Sequence, residues 1–247
     1  MRIAVLSDIH GNLAALDAVL GDIAGRSVDA TVNLGDILSG PLQPAETADR
    51  LMALDLPTIR GNHERQLLTQ PPERMEASDA YAQARLTERH RAWLASLPAT
   101  LWLADDLFLC HGTPASDIQY FLETVEPAGA RAADAAEVRA RAGDVPAALI
   151  LCGHTHLPRA HRLDDGRLVV NPGSVGLPAY DDGRPYPHAM EAGSPHARYA
   201  IVERGADGAW SVEAITVAYN WETAAATAEA RGRPDWAIAL RTGRMAA

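Results

Sequence analysis

An aspartate and a histidine stand two residues apart in the segment Ser7-Asp8-Ile9-His10-Gly11-Asn12, close to the start of the chain. The apolar run 2–6 before them is typical of a buried strand, and periodic apolar residues after them predict a helix that ends at Gly25. Side chains two residues apart on extended backbone point the same way, so Asp8 and His10 are spaced to bind one metal ion. A helix N-cap and a loop histidine would explain the same two residues without any chemistry.

Four further polar clusters follow short apolar runs in the same way, so each lies where a predicted strand ends. The clusters are Gly35-Asp36 after residues 30–33, Arg60-Gly61-Asn62-His63-Glu64 after 56–59, His111 after 107–110 and Gly153-His154-Thr155-His156 after 147–152. Because the ends of neighbouring parallel strands lie side by side at one edge of a sheet, we expect these polar side chains to converge.

The residues expected to converge include two carboxylates, one amide and four imidazoles. They are Asp8, Asp36, Asn62, His10, His111, His154 and His156. Mixed oxygen and nitrogen ligation suits Mn, Fe, Zn, Co or Ni and is too rich in nitrogen for Mg or Ca. Seven donors are too many for one ion and about right for two ions that share a bridging ligand. A single histidine is usually a core or surface residue, but five of the nine histidines fall within these motifs, which favours a site.

Periodicity and turn residues predict the elements that surround the motifs. Helices are predicted at 44–54, over most of 63–97 with a break at Pro71-Pro72, at 128–142, at 221–230 and in a last segment up to residue 241. Strands are predicted at 100–103, 107–110, 147–152, 159–163, 167–171, 198–203 and 210–217. The segment 176–196, rich in glycine and proline, is predicted to be a long loop without regular structure.

The motifs D-x-H, G-D, G-N-H-E, H and G-H-x-H occur in this order between residues 8 and 156, and this order resembles the calcineurin-like metallophosphoesterase superfamily. The resemblance implies an α/β fold, namely an αββα four-layer sandwich of two packed mixed sheets flanked by helices. The strands from residue 159 onward would form the second sheet. Residues 1–247 would form a single metallophosphoesterase domain.

The same resemblance implies a dinuclear metal centre and assigns a role to each motif residue. Asp8, His10 and His156 would hold the first ion, Asn62, His111 and His154 would hold the second, and Asp36 would bridge both. A hydroxide that bridges the ions would attack phosphorus. His63 would act as general acid toward the leaving group or stabilise the transition state.

Three residues are candidates for substrate contacts. Arg60, which precedes the G-N-H-E motif, could reach a phosphate, or it could form an exterior salt bridge. The loop 176–196 is predicted to cover the substrate side of the site, with Arg184 or His188 touching the substrate.

Two other motif residues have both a functional and a structural interpretation. Glu64 would orient the site through a hydrogen bond, or it would simply begin the next helix, where a carboxylate favours the positive end of the helix dipole. Asn12 would contact substrate, or it would cap the first helix.

Composition narrows the class of protein and of partner. The net charge is −10 and every basic residue is arginine, which argues against a broad nucleic-acid-binding surface and makes a nuclease an unfavoured alternative. No apolar run approaches transmembrane length and the first residues enter a strand at once, so we expect a cytoplasmic protein without membrane contact. Cys110 and Cys152 are interpreted as small buried side chains rather than a disulfide or a thiolate site.

The expected function is hydrolysis of a small phosphorylated substrate, in the order of preference phosphodiester, cyclic nucleotide and dinucleoside polyphosphate. Gly35-Asp36 is followed by Ile37-Leu38-Ser39-Gly40, without the arginine or aspartate typical of protein phosphatases and symmetrical dinucleoside tetraphosphatases. Chain length and Asn171-Pro172-Gly173-Ser174 resemble the small prokaryotic phosphodiesterase-like members instead. A phosphomonoesterase and a non-catalytic interaction scaffold are the alternatives, and the sequence leaves a homo-oligomer open.

Overall fold

The computed structural model describes residues 1–246, which form thirteen β-strands and eight α-helices. The strands are β1 (Arg2–Leu6), β2 (Ala30–Asn33), β3 (Leu101–Ala104), β4 (Leu107–Leu109), β5 (Glu123–Glu126), β6 (Gly129–Ala132), β7 (Leu149–Leu151), β8 (Pro158–Arg162), β9 (Leu168–Pro172), β10 (Ala179–Asp182), β11 (His188–Glu191), β12 (Ala197–Arg204) and β13 (Trp210–Val217). The helices are α1 (Leu13–Ala24), α2 (Pro44–Leu54), α3 (Asn62–Thr69), α4 (Ala77–Gln83), α5 (Glu88–Ser96), α6 (Ala135–Ala142), α7 (Trp221–Ala230) and α8 (Pro234–Thr242).

Two mixed sheets form the centre of the structure. One sheet has the strand order β13-β12-β1-β2, and the other has the order β3-β4-β7-β9-β8. β1 and β2 are parallel, as are β4, β7 and β9, and the remaining neighbours in both sheets are antiparallel. The first sheet therefore combines the beginning and the end of the chain.

The expectation that all strands from residue 159 onward form the second sheet is wrong. β8 and β9 do extend the second sheet, but β12 pairs antiparallel with β1, in a register that sets Ile3 opposite Val202, and brings β13 with it. The physical reason is that β2 pairs with only one edge of β1. β12 pairs with the opposite edge and satisfies its backbone N–H and C=O groups.

Alternating side chains divide the core into layers, as period-2 strands require. Val5 of β1 and Leu109 of β4 face the space between the two sheets. Leu6 of β1 faces the other way, into a cluster with α1 and α2. Phe108 of β4 faces outward against Val138 of α6. The order helix, sheet, sheet, helix confirms the predicted αββα sandwich.

Two segments differ from their predicted secondary structure. The predicted helix 128–142 instead holds β6, the second strand of the β5–β6 hairpin, followed by the shorter α6. Gly129 turns the chain at φ +119°, and Asp134 begins α6 with a capping box. The segment 176–196 is not a loop without regular structure but contains the β10–β11 hairpin, which pairs Asp182 with His188.

The C-terminal helices α7 and α8 pack against each other and against the loop after β2. Trp236 and Leu240 of α8 lie in one apolar cluster with Leu42 and with Ala179 of β10. This packing brings the end of the chain beside the residues that follow the first two motifs. No helix within residues 1–246 is both long and apolar enough to cross a membrane.

Candidate metal centre

The polar motifs meet at one end of the sandwich, where β1, β2, β4 and β7 all end. The motifs come from both sheets rather than from one parallel sheet, and backbone hydrogen bonds join them across the gap. The His154 backbone N–H lies 3.2 Å from both carboxylate oxygens of Asp8, and the Val175 N–H donates to the Ser7 carbonyl at 3.0 Å. The two sheets thus share one functional edge.

Six of the candidate ligands form two compact groups. Asp8, His10 and His156 offer three donor atoms within 4.8 Å of one another, and Asp36, His111 and His154 offer three more. The groups are adjacent, since His111 Nε2 lies 3.0 Å from Asp36 Oδ2 and 4.0 Å from Asp8 Oδ1.

The amide of Asn62 completes the second group. Its oxygen faces His154 Nδ1 at 3.0 Å, His111 Nε2 at 3.2 Å and Asp36 Oδ2 at 3.3 Å. All of these are electron-pair donors. A cation among the four groups would be bound by all of them, whereas without one the amide can turn and donate its N–H to the same neighbours.

Hydrogen bonds to backbone carbonyls orient all four imidazoles. The bonds are His10 Nδ1 to Ser39 (2.7 Å), His111 Nδ1 to Leu34 (2.8 Å), His156 Nδ1 to Leu177 (2.7 Å) and His154 Nε2 to Ile118 (3.2 Å). Each ring directs one nitrogen outward to a carbonyl, so its other nitrogen points inward. As a result His10 Nε2 and His156 Nε2 lie 3.1 Å apart, close enough to bind one ion together.

Burial keeps two of these rings neutral. Burial, with the charge of the neighbouring His156 ring, lowers the pKa of His10 to about 3. Burial and the neighbouring His111 ring lower the pKa of His154 to about 4. A neutral imidazole is the form that binds a metal, so both rings are ready to act as ligands at neutral pH.

The donor set as a whole fits divalent transition-metal ions. Two carboxylates, an amide oxygen and four imidazole nitrogens converge in a buried space. Without an ion, only protons could pair them: burial lowers the pKa of His111, but the charge of Asp36 and a hydrogen bond to it raise that pKa to about 9. Uncompensated lone pairs and charges in a buried site are costly, and cations remove that cost. The mixture of nitrogen and oxygen matches the ions expected from the sequence.

Backbone strain is concentrated at this site. Five of the seven candidate ligands have positive φ angles, between 51° and 70°: Asp8, His10, Asp36, His154 and His156. A non-glycine residue in this region costs about 1–3 kcal/mol and persists only where surrounding contacts hold it. Gly61 and Gly153 allow these contacts, since a Cβ on either would collide with Asp36 or with Ser7.

Glu64 holds part of this strained backbone in place. Its buried carboxylate accepts hydrogen bonds from the backbone N–H groups of Asp36, Ile37 and Gly61, each at 2.8 Å. Glu64 also lies in the first turn of α3. Both interpretations of this residue are therefore correct, because the carboxylate that begins α3 also orients the candidate bridging ligand.

Glu64→Gln should destabilise the metal-stripped protein by about 2 kcal/mol, because a donor amide would then face a backbone N–H inside the protein. Urea denaturation measures this change. Glu88→Gln is the matched control, since the Glu88 side chain is 93% exposed. If both variants have the free energy of unfolding of the wild type, the three hydrogen bonds of Glu64 do not stabilise the protein.

His63 follows Asn62 and lies beside the centre. Its ring centroid is 5.4 Å from that of His10, and its Nδ1 donates to Asp79 Oδ1 at 2.8 Å. Burial lowers the pKa of His63, but the charges of Asp36 and Asp79 and the hydrogen bond to Asp79 raise it to about 10. In the ion-free protein both ring nitrogens therefore carry a proton at neutral pH. The His63 side chain is 21% exposed.

Asp79 is the functional candidate that the sequence analysis missed. It lies on α4, sixteen residues after His63, and its side chain is buried. No motif marks it, because it sits in a helical segment whose other polar residues form a solvated face. Only the packing of α4 against α3 brings the two side chains together.

The candidate substrate residues occupy different surroundings. The Arg60 side chain is half-buried and forms no ion pair within residues 1–246, while Arg184 is exposed in the turn of the β10–β11 hairpin. His188 is buried, with Nε2 3.0 Å from the Tyr120 hydroxyl and Nδ1 2.7 Å from the Tyr186 carbonyl. Substrate contact by these residues stays a prediction.

Asn12 caps the first helix, as one of its two interpretations stated. Its side-chain oxygen accepts from the Ala15 N–H at 3.2 Å, and its Nδ2 donates to the Gly176 carbonyl at 2.9 Å.

Cys110 and Cys152 are buried free thiols, and burial raises the pKa of each. Both cysteines are therefore small buried side chains, as the sequence predicts.

Known proteins resemble this chain in sequence and in fold. Residues 1–190 match the family model of the calcineurin-like phosphoesterase superfamily domain. The uncharacterized protein MJ0912 of Methanocaldococcus jannaschii is 28% identical over 200 residues, which are 71% of this chain and 76% of that protein.

Two crystal structures are similar over almost the whole chain. A metallophosphoesterase from Sphaerobacter thermophilus has 28% identity and a TM-score of 0.73, covering 97% of this chain and 98% of its own. Hypothetical protein PH1004 from Pyrococcus horikoshii shares the fold at 22% identity, with a TM-score of 0.75 and 99% of both chains covered. With the family match and the convergent donor set, these similarities show that the chain belongs to the calcineurin-like phosphoesterase superfamily, a family of metal-dependent phosphoester hydrolases.

Proposed function

We propose that this protein hydrolyses small phosphate esters or anhydrides with the help of two divalent ions of Mn, Fe, Zn, Ni or Co, with phosphodiesters first in the order of preference. The observation that carries the proposal is the set of seven buried or half-buried donor side chains that converge in two adjacent groups at one end of the sandwich. The preference for a diester rests on the resemblance of 171–174 to phosphodiesterase-like members and on the lack of an arginine or aspartate directly after Gly35-Asp36.

The seven side chains divide between two ions. Asp8, His10 and His156 would hold one ion, Asn62, His111 and His154 the other, and Asp36 both. Bound ions of this kind supply a water of lowered pKa and neutralise charge on the phosphoryl oxygens. The protein contributes fixed ligand directions, because the outward hydrogen bonds of the four imidazoles prevent the rings from turning.

His63 is proposed to protonate the oxygen of the leaving group. Its Nδ1 hydrogen bond with Asp79 leaves Nε2 free to face the leaving group, and the Asp79 carboxylate favours the protonated ring. Proton donation by a positioned side chain accelerates such reactions by roughly 10²–10⁴-fold. Phosphoryl transfer otherwise depends on positioning and electrostatics, which the ligand set supplies.

Asp79→Asn should lower kcat about 10- to 100-fold by removing the group that orients His63. In a His63→Ala background the same substitution should have no further effect, because the two residues act as one unit. Kinetics of the two single variants and of the double variant measure this coupling.

Asp49→Asn is the matched control for that cycle. It removes the partner of a second His–Asp pair, in which Asp49 Oδ1 lies 3.1 Å from His90 Nε2 between α2 and α5. Its effect on kcat should be small in either background. Equal, additive losses from Asp79→Asn with and without His63 would show that Asp79 acts through stability alone.

The proposed function is tested by parallel assays of bis-p-nitrophenyl phosphate and p-nitrophenyl phosphate. The protein would be stripped of metal and then given Mn, Ni, Zn or Mg in turn. Metal-dependent cleavage that favours the diester is the expected result. Preference for the monoester would replace the diesterase with a phosphomonoesterase, and no turnover with any ion would favour the non-catalytic scaffold.

A further inference from the structure

Three arginines gather around Tyr81 on α4. The guanidinium of Arg85 stacks over the Tyr81 ring, 3.3 Å from its centroid, and that of Arg231 lies 5.2 Å from the same centroid. Arg233 donates from Nη1 to the Ser78 hydroxyl at 2.8 Å, one turn before Tyr81 on the same helix. We call Arg85, Arg231 and Arg233 the arginine patch.

The arginine patch borders the metal centre through two separate sets of contacts. The guanidinium of Arg233 lies 5.6 Å from the ring centroid of Trp236, and that ring lies 6.0 Å from the ring of His10. On the other side, the helix α4 that carries the patch also carries Asp79, which is bonded to His63. The patch therefore lies on the side of the centre where the proposed general acid stands.

The positive charge of the patch is largely uncompensated. Within residues 1–246, Arg85 and Arg231 have no carboxylate within 4.0 Å, whereas Arg233 is paired with Asp235 at 2.6 Å. Both Arg85 and Arg231 are exposed. In a chain with a net charge of −10, two exposed guanidiniums without carboxylate partners beside the metal centre are available to an anion from outside the protein.

We propose that the arginine patch binds a second phosphate group of the substrate, so that the preferred substrates carry further phosphates on the leaving-group side of the bond that is cleaved. Polyphosphate-linked compounds belong to this class. Guanidinium groups match phosphate with paired N–H donors, and a guanidinium stacked on an aromatic ring is already oriented for binding. The assignment to substrate rests on the proposed function, but the anion site itself is testable without catalysis.

A structural role is the competing explanation. Arg231 donates from Nη1 to the Pro41 carbonyl at 2.7 Å, which ties the end of α7 to the loop after β2. Arg85 and Arg233 make no such bond to a distant backbone carbonyl. The variants for the test therefore change Arg85 and Arg233 and leave Arg231 in place.

Binding of inorganic tripolyphosphate to the metal-stripped full chain is the first measurement, by isothermal titration calorimetry. Metal-stripped protein is used so that bound ions cannot hold the anion at the metal centre, and the paired variants then show whether the arginine patch is its site. The Arg85→Gln/Arg233→Gln variant should bind about tenfold more weakly or worse, since hydrogen bonds to charged groups are strong. Arg89→Gln/Arg241→Gln removes the same charge from two other arginines, each paired with carboxylates, and should bind within about twofold of wild type.

Hydrolysis by the metal-loaded protein is the second measurement. The ratio of kcat/KM for diadenosine tetraphosphate to that for bis-p-nitrophenyl phosphate should fall about tenfold in the patch variant and stay constant in the control variant. Arg85→Gln alone, a change on an exposed side chain, provides the same comparison should the double variant unfold in circular dichroism.

The outcomes separate this inference from the proposed function. Absence of tripolyphosphate binding in the wild type, or equal weakening in the patch and control variants, would overturn the anion site. An unchanged substrate ratio in the patch variant would overturn its role in substrate binding. Binding through the patch by a protein that hydrolyses neither compound would support the anion site and overturn the proposed function.

Discussion

Asp36→Asn is expected to reduce metal-dependent phosphoester hydrolysis by about three orders of magnitude or more. The carboxylate of Asp36 lies 3.0 Å from His111 Nε2 and 3.3 Å from the Asn62 amide oxygen, and it also accepts the backbone N–H of His63 at 3.0 Å. An amide at this position removes the one negative charge shared by the two proposed ion sites. Loss of a metal contribution of several kcal/mol corresponds to a rate loss of this size.

Metal content measured by plasma mass spectrometry checks the cause of that loss. The variant should retain fewer than two ions per chain after equilibration with Mn²⁺, whereas the wild type retains two. Asp17→Asn, on the exposed face of α1, is the matched control and should retain both ions and full activity. If Asp36→Asn keeps two ions and wild-type turnover, Asp36 is not a bridging ligand.

His63→Ala is expected to lose about 10²–10⁴-fold in kcat on a phosphodiester with a poor leaving group while it retains both ions. The loss should be smaller for a p-nitrophenyl ester, because p-nitrophenolate leaves readily without a proton. The reason lies in the structure: His63 stands beside His10 but donates to Asp79 rather than to a backbone carbonyl, unlike the four candidate ligand imidazoles. Kinetics on a series of aryl and alkyl diesters, with metal analysis of each sample, measures the effect.

His161→Ala is the matched control for this variant, since His161 lies half-buried on β8 and belongs to no motif. It should have wild-type kinetics on every ester. Loss of an ion from His63→Ala would make His63 a ligand or a structural residue. A loss of rate that is the same for good and poor leaving groups would exclude the role of general acid.

The convergence of the motif side chains could be predicted from the sequence because each motif follows an apolar run. Asp8 and His10 after β1, and His111 after β4, lie where their runs predict. The rule that strand ends share an edge explains the convergence within each sheet, although the motifs come from two sheets. It works because the two sheets pack with their carboxyl ends at the same end of the sandwich.

Contacts between distant helices and loops could not be predicted. Asp79 reaches His63, and Trp236 reaches His10, only through packing of α4 and α8, and neither residue carries a local signal. The positive φ angle of Asp36 could not be predicted either, because an aspartate after glycine is also common in ordinary turns. Only the structure shows that Glu64 accepts a hydrogen bond from the Asp36 backbone N–H and holds it in this conformation.

The strands of the β10–β11 hairpin, and β6 of the β5–β6 hairpin, could not be predicted from the sequence either. β10 and β11 are short and end at turns without alternating polarity, so no period-2 pattern marks them. Their pairing is favoured by tertiary contacts, since Ala179 packs in the cluster of α7 and α8 and the Tyr180 hydroxyl lies 3.2 Å from the His154 carbonyl. β6 lies within the predicted helix 128–142, because alanine, glutamate and arginine dominate that stretch.

Anomalous diffraction from crystals equilibrated with Mn²⁺ tests the dinuclear centre most directly. Our account predicts two anomalous peaks, one among Asp8, His10 and His156 and one among Asn62, His111 and His154, with Asp36 touching both. The same data from Asp36→Asn should lose at least one peak. A single peak in the wild type, or peaks away from these seven side chains, would contradict the dinuclear centre.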